Sequence, residues 1–348
     1  MSASNRSALI FGVTGQDGSI LAHQLVEQGW KVYGGYRRGG HNKLWRLEEL
    51  GILDKIELIN INLLEPFLVL NIVSDITPEH VYQLAGDSYV VDSFEQPRSV
   101  LENNCISTLN VLEAIRIAAP EARLFFPSSS EVFGSATAGK MMDEGGPFSP
   151  LNPYGLSRLA AQKLIDIYRR HHGLHACCGI MFNHEGPLRA RSFVTRKITY
   201  NLARLRSEGG RPVTLGNLNT RRDWGSAEDY VSIMPTLLDL EVPDDYVFAT
   251  GTTTTLRRMI EVAADYAGFQ PEFDGEGLNE VCVDRKSGQI LVDVGLEFFR
   301  KSDTPPLVGN PAYLKNSTGF KGSRKIEQTI VEMVQADIDR REKGNINV

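Results

Sequence analysis

A glycine-rich segment near the amino terminus constrains the fold of this chain more than any other feature. It lies between an apolar run, Ala8–Val13, and a helical pattern, Ile20–Gln28. Its residues are Gly12, Val13, Thr14, Gly15, Gln16, Asp17 and Gly18. A GxxGxxG spacing alone is weak, but between a first strand and a first helix it is typical of loops that bind a dinucleotide pyrophosphate. The glycines let the backbone approach the phosphates, and the helix N-terminus attracts their charge.

The first half of the chain alternates short apolar runs with longer amphipathic stretches. The candidate strands are Ala8–Val13, Lys31–Tyr36, Lys55–Ile61, His80–Leu84, Arg123–Pro127 and His175–Phe182. The helical patterns between them include Ile20–Gln28, Val100–Ala118 and Tyr154–Arg170. Such alternation with continuously apolar strands predicts an α/β fold with a Rossmann-type, doubly wound parallel sheet.

After Phe182 the rhythm changes, which predicts a smaller and mostly C-terminal substrate-binding domain. Its candidate elements, with one returning strand of the sheet, are Val194–Ser207, Tyr246–Ala249, Leu256–Ala267, Gln289–Val294 and Ser323–Arg341. We therefore expect a dinucleotide-binding domain at 1–182 and about 223–250, and a substrate-binding domain at about 183–222 and 251–348.

Composition narrows the class of protein. A formal net charge of −6 over 348 residues argues against a general nucleic-acid binder. The four cysteines show neither a CxxC pair nor metal spacing, so we expect buried thiols and no metal site. No signal peptide or membrane span is visible, and a reducing cytoplasm fits.

The end of the second strand indicates which dinucleotide is bound. It reads Gly34-Gly35-Tyr36-Arg37-Arg38, with no acidic residue to hold a ribose 2′-hydroxyl. Two arginines suit a 2′-phosphate through charge-assisted hydrogen bonds, so NADP is favoured over NAD. Alternatively, the two arginines form a solvated basic patch that binds no phosphate.

Candidate catalytic residues follow the fifth strand and begin a helix. Ser128–Glu131 come directly after Arg123–Pro127, and Tyr154 precedes Arg158 by four residues. That spacing places the tyrosine and the cation on one helical face. A free tyrosine titrates near pH ~10, so a cation beside it is needed if it is to act as a base at neutral pH. Each residue alone would suit ordinary surface polarity, but their order at strand ends favours a catalytic group.

This combination resembles the extended short-chain dehydrogenases/reductases, and longer strings resemble one family among them, the GDP-mannose 4,6-dehydratases. Those strings are Thr14–Ser19, Arg37–Arg38, Phe182–Pro187, Phe193–Ile198, Leu215–Leu218, Arg222–Gly225, Asp229–Val231, Pro243–Val247 and Ala249–Gly251. The resemblance spans residues 7–320. It implies NADP as cofactor, a GDP-sugar as substrate, no membrane attachment, and a homodimer or homotetramer.

Position by position, the resemblance implies catalytic roles for Ser129 (a threonine in the family), Glu131, Tyr154 and Arg158. The implied cofactor contacts are Gly12, Thr14, Gly15, Gln16, Asp17, Gly18, Arg37, Arg38, Asn62, Leu63, Leu84, Ala85, Tyr154, Arg158 and His184. The implied nucleotide-sugar contacts are Ser88, Asn183, Val194, Lys197, Leu215, Gly216, Arg222 and Arg300. For His184, a structural hydrogen bond within its turn is also a reasonable interpretation.

The chain departs from the family pattern at four places. Arg158 stands where the family has lysine, and Asn62-Leu63 where it usually has Asp-Leu. Ala85-Gly86-Asp87 replaces Ala-Ala-Gln, and Glu228 replaces a lysine. Arginine keeps the positive charge of lysine, but its planar fork occupies space differently.

The resemblance implies a lyase that converts GDP-mannose to GDP-4-keto-6-deoxymannose for deoxyhexose synthesis. A carboxylate beside the strand-end serine favours dehydration over simple reduction or epimerisation. Two alternatives stay open. One is a dehydratase for a related GDP-sugar such as a heptose, or a C4 oxidoreductase or epimerase of the same family. The other is a non-catalytic NADP-binding regulator.

Overall fold

The computed structural model describes residues 6–37, 39, 44–134, 140–299 and 306–345. Its contacts divide the chain into two compact units. The first consists of Met1–Phe182, Glu228–Ala249 and Gly309–Gly322, and the second of Asn183–Ala227, Thr250–Val308 and Ser323–Val348.

The strands and helices are numbered in chain order. The strands are β1 Ser7–Phe11, β2 Lys31–Tyr36, β3 Glu57–Asn60, β4 His80–Gln83, β5 Arg123–Ser129, β6 Ala176–Met181, β7 Asn183–Glu185, β8 Val213–Leu215, β9 Arg221–Arg222, β10 Trp224–Ser226, β11 Asp245–Phe248, β12 Thr254–Thr255, β13 Pro271–Asp274, β14 Val281–Asp284 and β15 Ile290–Val294. The helices are α1 Gln16–Glu27, α2 Trp45–Glu49, α3 Pro66–Ile76, α4 Asp92–Glu95, α5 Pro97–Leu101, α6 Ser107–Ala118, α7 Pro153–His172, α8 Val194–Glu208, α9 Ala227–Asp239, α10 Leu256–Tyr266, α11 Ala312–Thr318 and α12 Ile326–Glu342.

The first unit is built on a seven-stranded parallel sheet in the order β11-β6-β5-β4-β1-β2-β3. The strand order reverses between β1 and β4, which creates a crevice at the carboxyl ends of the strands, where ligands of such sheets bind. The predicted Rossmann-type sheet is confirmed. Its central strands, such as β4 and β6, are buried along their whole length, as their apolar sequences require, whereas the edge strand β3 is partly exposed.

Two boundaries of the units differ from the expected domains. The segment Gly309–Gly322 belongs to the first unit, where Tyr313 of α11 stacks on Tyr246 of β11 with ring centroids 5.2 Å apart. The strand β10 belongs to the second unit, because it pairs with β7. What each unit binds stays a prediction.

The second unit contains a four-stranded sheet in the order β13-β14-β15-β8 and two smaller strand pairs. Its core is formed with the buried faces of α8, α10 and α12. A buried ion pair joins two of these helices, since Arg196 of α8 lies 2.7 Å from Asp337 of α12. Within the described residues, no helix combines the length and the apolar character needed to cross a membrane.

Candidate active site

The glycine-rich loop connects β1 to α1 at the carboxyl edge of the sheet. Gly12 has φ of +85°, and a Cβ atom there would lie 2.7 Å from the Ala85 backbone nitrogen, so no larger residue fits. The loop is anchored from outside by Arg46, whose Nη1 donates to the Thr14 carbonyl over 3.0 Å. Helix α1 begins directly after Gly15, so its N-terminal N–H groups lie at this edge, where a phosphate would be favoured.

Gln16 and Gly18, two further residues predicted to contact the cofactor, lie in the first turn of α1. Gln16 is buried and its Nε2 donates to Asp17 Oδ1 over 3.0 Å at the start of α1. A Cβ atom on Gly18 would lie 2.3 Å from the Gly12 carbonyl oxygen, so the first turn of α1 packs directly on the loop.

The ends of β4 and β3, which β1 and β2 separate in the sheet, contribute the next predicted residues. Leu84 and Ala85 follow β4 and are half-buried, whereas Ser88 is exposed. Asn62, after β3, is exposed and its Oδ1 accepts a hydrogen bond from its own turn. Leu63 is buried, so a cofactor contact there would fall to its backbone or to the edge of its side chain.

The cation expected at the 2′-phosphate lies at the end of β2. Arg37 is exposed, and its Nη1 is 3.5 Å from Asn103 Oδ1. Its predicted neighbour Arg38 lies outside the described residues.

The serine and glutamate of the candidate catalytic group lie where β5 ends. The strand continues to Ser129, two residues beyond the predicted end, because it pairs with β6 as far as Met181. A short 3₁₀ turn follows, in which the Glu131 backbone nitrogen donates to Ser129 Oγ over 3.3 Å. Glu131 is half-buried, and its Oε2 accepts a hydrogen bond of 2.7 Å from Asn152.

The tyrosine and the cation come from the first turns of α7. Tyr154 is 8% exposed and Arg158 is 5% exposed. The guanidinium carbon lies 5.3 Å from the centroid of the Tyr154 ring and 5.7 Å from that of Phe126. The two side chains therefore share one helical face, and a permanent positive charge lies beside the phenol.

The structure also explains how an arginine fits at this position. Arg158 donates from Nη1 to the Pro127 carbonyl over 3.1 Å and from Nη2 to the Asp87 carbonyl over 3.2 Å. A Cβ atom at Gly86 would lie 3.1 Å from Nη2 and 2.5 Å from Asn104 Oδ1. The glycine that departs from the family pattern therefore leaves room for the guanidinium. The second departure, Asp87, has its carboxylate bound by Asn103 over 2.8 Å.

The predicted substrate residues lie in the second unit, apart from Ser88. Asn183 and His184 belong to β7 and pair with β10, and both are half-buried. Lys197 on α8 donates to the Thr214 carbonyl over 2.7 Å and lies 4.1 Å from the centroid of the Phe298 ring. Partial burial lowers the pKa of Lys197 from its usual value.

The remaining predicted substrate residues differ in how much they can offer a ligand. Val194 begins α8 and is half-buried, whereas the side chain of Leu215 lies in the core of the unit. A Cβ atom at Gly216 would lie 2.3 Å from the Phe298 carbonyl oxygen. Arg222, on β9, donates to the Arg221 carbonyl over 2.8 Å. Arg300 lies outside the described residues.

One group of possible metal ligands lies among the described residues, at the opposite edge of the sheet. It consists of Glu79, His80 and Asp239. The guanidinium of Arg6 pairs with both carboxylates, lying 2.7 Å from Glu79 and 2.6 Å from Asp239, and offsets part of their charge. Burial lowers the pKa of His80 to about 3, with Asp239 opposing this shift and Arg6 adding to it.

Sequence reasoning missed Asn152 and the fit of Gly86 to Arg158. A signal for Asn152 was present, because an asparagine before a proline at the first helical position is a helix-start pattern. The fit of Gly86 had no sequence signal, since the two residues are far apart in the chain.

Known proteins match this chain along nearly its whole length. The profile of the family described as GDP-mannose 4,6 dehydratase matches residues 9–333. The GDP-mannose 4,6-dehydratase of Sinorhizobium fredii is 36% identical, covering 95% of this chain and 96% of its own. That of Yersinia enterocolitica is 34% identical, covering 96% and 94%.

Solved structures match the fold at lower identity. RMD from Pseudomonas aeruginosa, complexed with NADPH, has a TM-score of 0.78 at 22% identity and covers 97% of this chain and all of its own. The dTDP-glucose 4,6-dehydratase of Bacillus anthracis, in complex with NAD, has a TM-score of 0.79 at 18% identity, covering 97% and 98%. Matched along nearly its whole length, this chain belongs to the GDP-mannose 4,6-dehydratase family.

Proposed function

We propose that this chain is a lyase that converts GDP-mannose to GDP-4-keto-6-deoxymannose with NADP as its resident cofactor. The observation that carries the proposal is the carboxylate of Glu131, which follows Ser129 at the carboxyl edge of the sheet in a chain of the dehydratase family. Dehydration needs a group that removes a carbon-bound proton, and a carboxylate beside the hydroxyl supplies one.

The residues present fit a dinucleotide phosphate. The loop at Gly12 and Gly18 lacks side chains where a Cβ atom would collide with backbone, so its N–H groups can approach a pyrophosphate. Arg37 offers an exposed guanidinium at the end of β2, suited to a 2′-phosphate.

The chemistry is internally redox-neutral. NADP, which the loop at Gly12 and the Arg37 guanidinium would hold, would supply hydride acceptance at C4 of the sugar and hydride donation at C6, so no further oxidant or reductant would be consumed. Tyr154 accepts the proton of the C4 hydroxyl, while the Ser129 hydroxyl hydrogen-bonds the same oxygen. Arg158 stabilises the phenolate by its charge, over the 5.3 Å measured to the ring.

Glu131 acts in the second half of the reaction. The C4 ketone makes the C5 proton acidic, and the Glu131 carboxylate removes it. The C6 hydroxyl then leaves as water, with a proton from Glu131 or Ser129, which forms an enone. Once C6 is reduced, a proton from solvent would replace the one lost from C5, and Tyr154 would release to solvent the proton taken from the C4 hydroxyl. The balance is the loss of one water.

The second unit supplies the residues proposed to hold the GDP-sugar. Lys197 and Arg222 offer positive charge to a diphosphate, and Asn183 offers an amide. The buried thiols Cys177 and Cys178 suit a reducing cytoplasm, which we propose as the location. We also propose a homodimer or homotetramer, as the family resemblance implies.

Mass analysis of one incubation tests the function. With GDP-mannose and catalytic NADP, the product should be lighter by one water, and in deuterium oxide it should carry deuterium at C5. An unchanged mass would indicate an epimerase, and cofactor binding without turnover of any GDP-sugar would indicate a regulator.

Glu131→Gln tests the assigned role of the carboxylate. The variant should still oxidise C4 but lose both deuterium exchange at C5 and the loss of water. Glu57→Gln, which removes an exposed carboxylate 3.9 Å from Lys31 on a distant strand, is the matched control. Water elimination by Glu131→Gln near the parent rate would show that the role is wrongly assigned.

A further inference from the structure

Asn152 connects the candidate carboxylate to the helix that carries the tyrosine and the cation. It is the N-cap of α7, and its Oδ1 accepts a hydrogen bond of 2.7 Å from the Gly155 backbone nitrogen. The Nδ2 atom of the same amide donates to Glu131 Oε2, also over 2.7 Å. Because a backbone N–H requires an acceptor and a carboxylate requires a donor, only one orientation of the amide satisfies both neighbours.

The backbone reinforces this connection. A Cβ atom at Gly155 would lie 2.6 Å from the Glu131 carbonyl oxygen, so the first turn of α7 packs against the turn that contains Glu131. The chain that leads into the helix is held as well, because the Ser149 backbone nitrogen donates to the Val132 carbonyl over 2.9 Å. Glu131 and the start of α7 therefore form one assembly within the first unit.

The contact has a chemical consequence for the carboxylate. An amide N–H stabilises the ionised form of a carboxylate, which is the form that removes a proton. It also occupies Oε2, so that proton exchange with a substrate falls to Oε1. Fixing one oxygen sets the direction of the other, and a displacement of about 1 Å at a reacting group can cost on the order of a hundredfold in rate.

We propose that Asn152 is a positioning residue for proton transfer at C5, acting through Glu131 and coupling it to the helix of Tyr154. The inference rests on the proposed function, because it assumes that Glu131 removes the C5 proton. It separates two roles of one side chain: the cap of α7, which stabilises the helix, and the contact with Glu131, which directs the carboxylate.

Two substitutions separate those roles. In Asn152→Ser the hydroxyl is a good N-cap, but it is too short to reach Glu131 as well. We expect the rate of deuterium exchange at C5 to fall about 10- to 100-fold, as for the loss of a hydrogen bond to a charged group, while the reduced cofactor formed by C4 oxidation appears at the parent rate. In Asn152→Asp the cap is kept, but a second carboxylate faces Glu131. The donor to Glu131 is thereby lost, so C5 exchange should fall at least as far as in Asn152→Ser.

Asn310→Ser is the matched control. This asparagine accepts a hydrogen bond of 3.1 Å from the Ala312 backbone nitrogen at the start of α11, in a segment without predicted site residues. Its replacement should lower Tm slightly and leave the ratio of C5 exchange to C4 oxidation unchanged.

The outcomes distinguish this inference from the proposed function. C5 exchange at the parent rate in Asn152→Ser, with exchange lost in Glu131→Gln, overturns the role of Asn152 alone. Parent-rate exchange in Glu131→Gln overturns the role of Glu131, and that of Asn152 with it. If Asn152→Ser slows C4 oxidation and C5 exchange equally as Tm falls, Asn152 is only a helix cap.

Discussion

Replacing Arg158 by methionine removes the positive charge beside Tyr154 and keeps most of the buried volume. The guanidinium carbon lies 5.3 Å from the ring centroid, and two opposite unit charges at that separation attract by about 3 kcal/mol at an effective dielectric constant of about 20. That energy corresponds to about a hundredfold in turnover at fixed pH. We expect Arg158→Met to lose turnover to this extent and to become active only at more alkaline pH.

Substitution of Arg158 should also lower the free energy of unfolding, independently of its effect on turnover. Arg158 supplies donors to the Pro127 and Asp87 carbonyls, and each buried acceptor left without a donor costs about 1–3 kcal/mol. Arg158→Lys retains the charge and can reach one of the two carbonyls. It should therefore keep turnover within about tenfold of the parent while its free energy of unfolding falls by about 1–3 kcal/mol.

The assay is the pH dependence of turnover, measured with the denaturant midpoint for each variant. Arg169→Met is the matched control, since Arg169 lies on the same helix, is largely buried, and donates to the Ala176 carbonyl over 2.9 Å. Eleven residues of helix separate it from Arg158, roughly 16 Å along the axis. It should lose stability without a change in the pH profile. If Arg158→Met turns over like the parent with the same profile, Arg158 is not the partner of Tyr154.

Two further predictions concern other parts of the first unit. NADP should bind more tightly than NAD, because a charge-assisted contact to the 2′-phosphate contributes about 1.5–3 kcal/mol. Arg37→Asp should therefore narrow or reverse this preference by one to two decades in Kd. Equal affinities of the parent for the two cofactors in a calorimetric titration would contradict the prediction. The unfolded chain protonates His80 near pH 6.5, whereas the folded chain does so near 3, so its contribution to stability is present above about pH 6.5 and is lost as the pH falls toward 3. His80→Gln should flatten this acid loss in urea midpoints measured across that range, and an unchanged slope would show that His80 does not cause it.

Most strands and helices of the first unit could be predicted from the sequence, because the residues that specify each of them are adjacent in the chain. The loop at Gly12 shows its strand, turn and helix within one stretch, and the polar group at Ser129 marks a strand end. Helices α3 and α9 were not predicted. In α3, apolar residues extend to the exposed side, with Phe67 80% exposed, and α9 contains Pro235, a residue that usually ends or kinks a helix.

The candidate site was predicted only where its residues lie in one motif. The contact of Asn152 with Glu131 joins residues on either side of a long loop, and no local period reports it. The resemblance predicts that Leu215 contacts the substrate, but its side chain lies in the core of the second unit. A sequence string shared with a family can reflect packing as well as binding. Such contacts depend on the tertiary packing of strands and helices, which cannot be predicted from the local pattern of a single sequence.

Two of the four departures from the family pattern, at Arg158 and in the segment Ala85–Asp87, combine into one structural change. Arg158 alone would suggest a damaged site, since its fork needs space and acceptors that a lysine does not. Gly86 removes the Cβ atom that would lie 3.1 Å from Nη2, and the carbonyl of the next residue, Asp87, accepts the hydrogen bond from that nitrogen. Substitutions about seventy positions apart thus keep a positive charge beside the Tyr154 ring. What the proposed chemistry requires at this position is a buried charge at a fixed distance, and an arginine satisfies that requirement as long as the loop after β4 makes room for it.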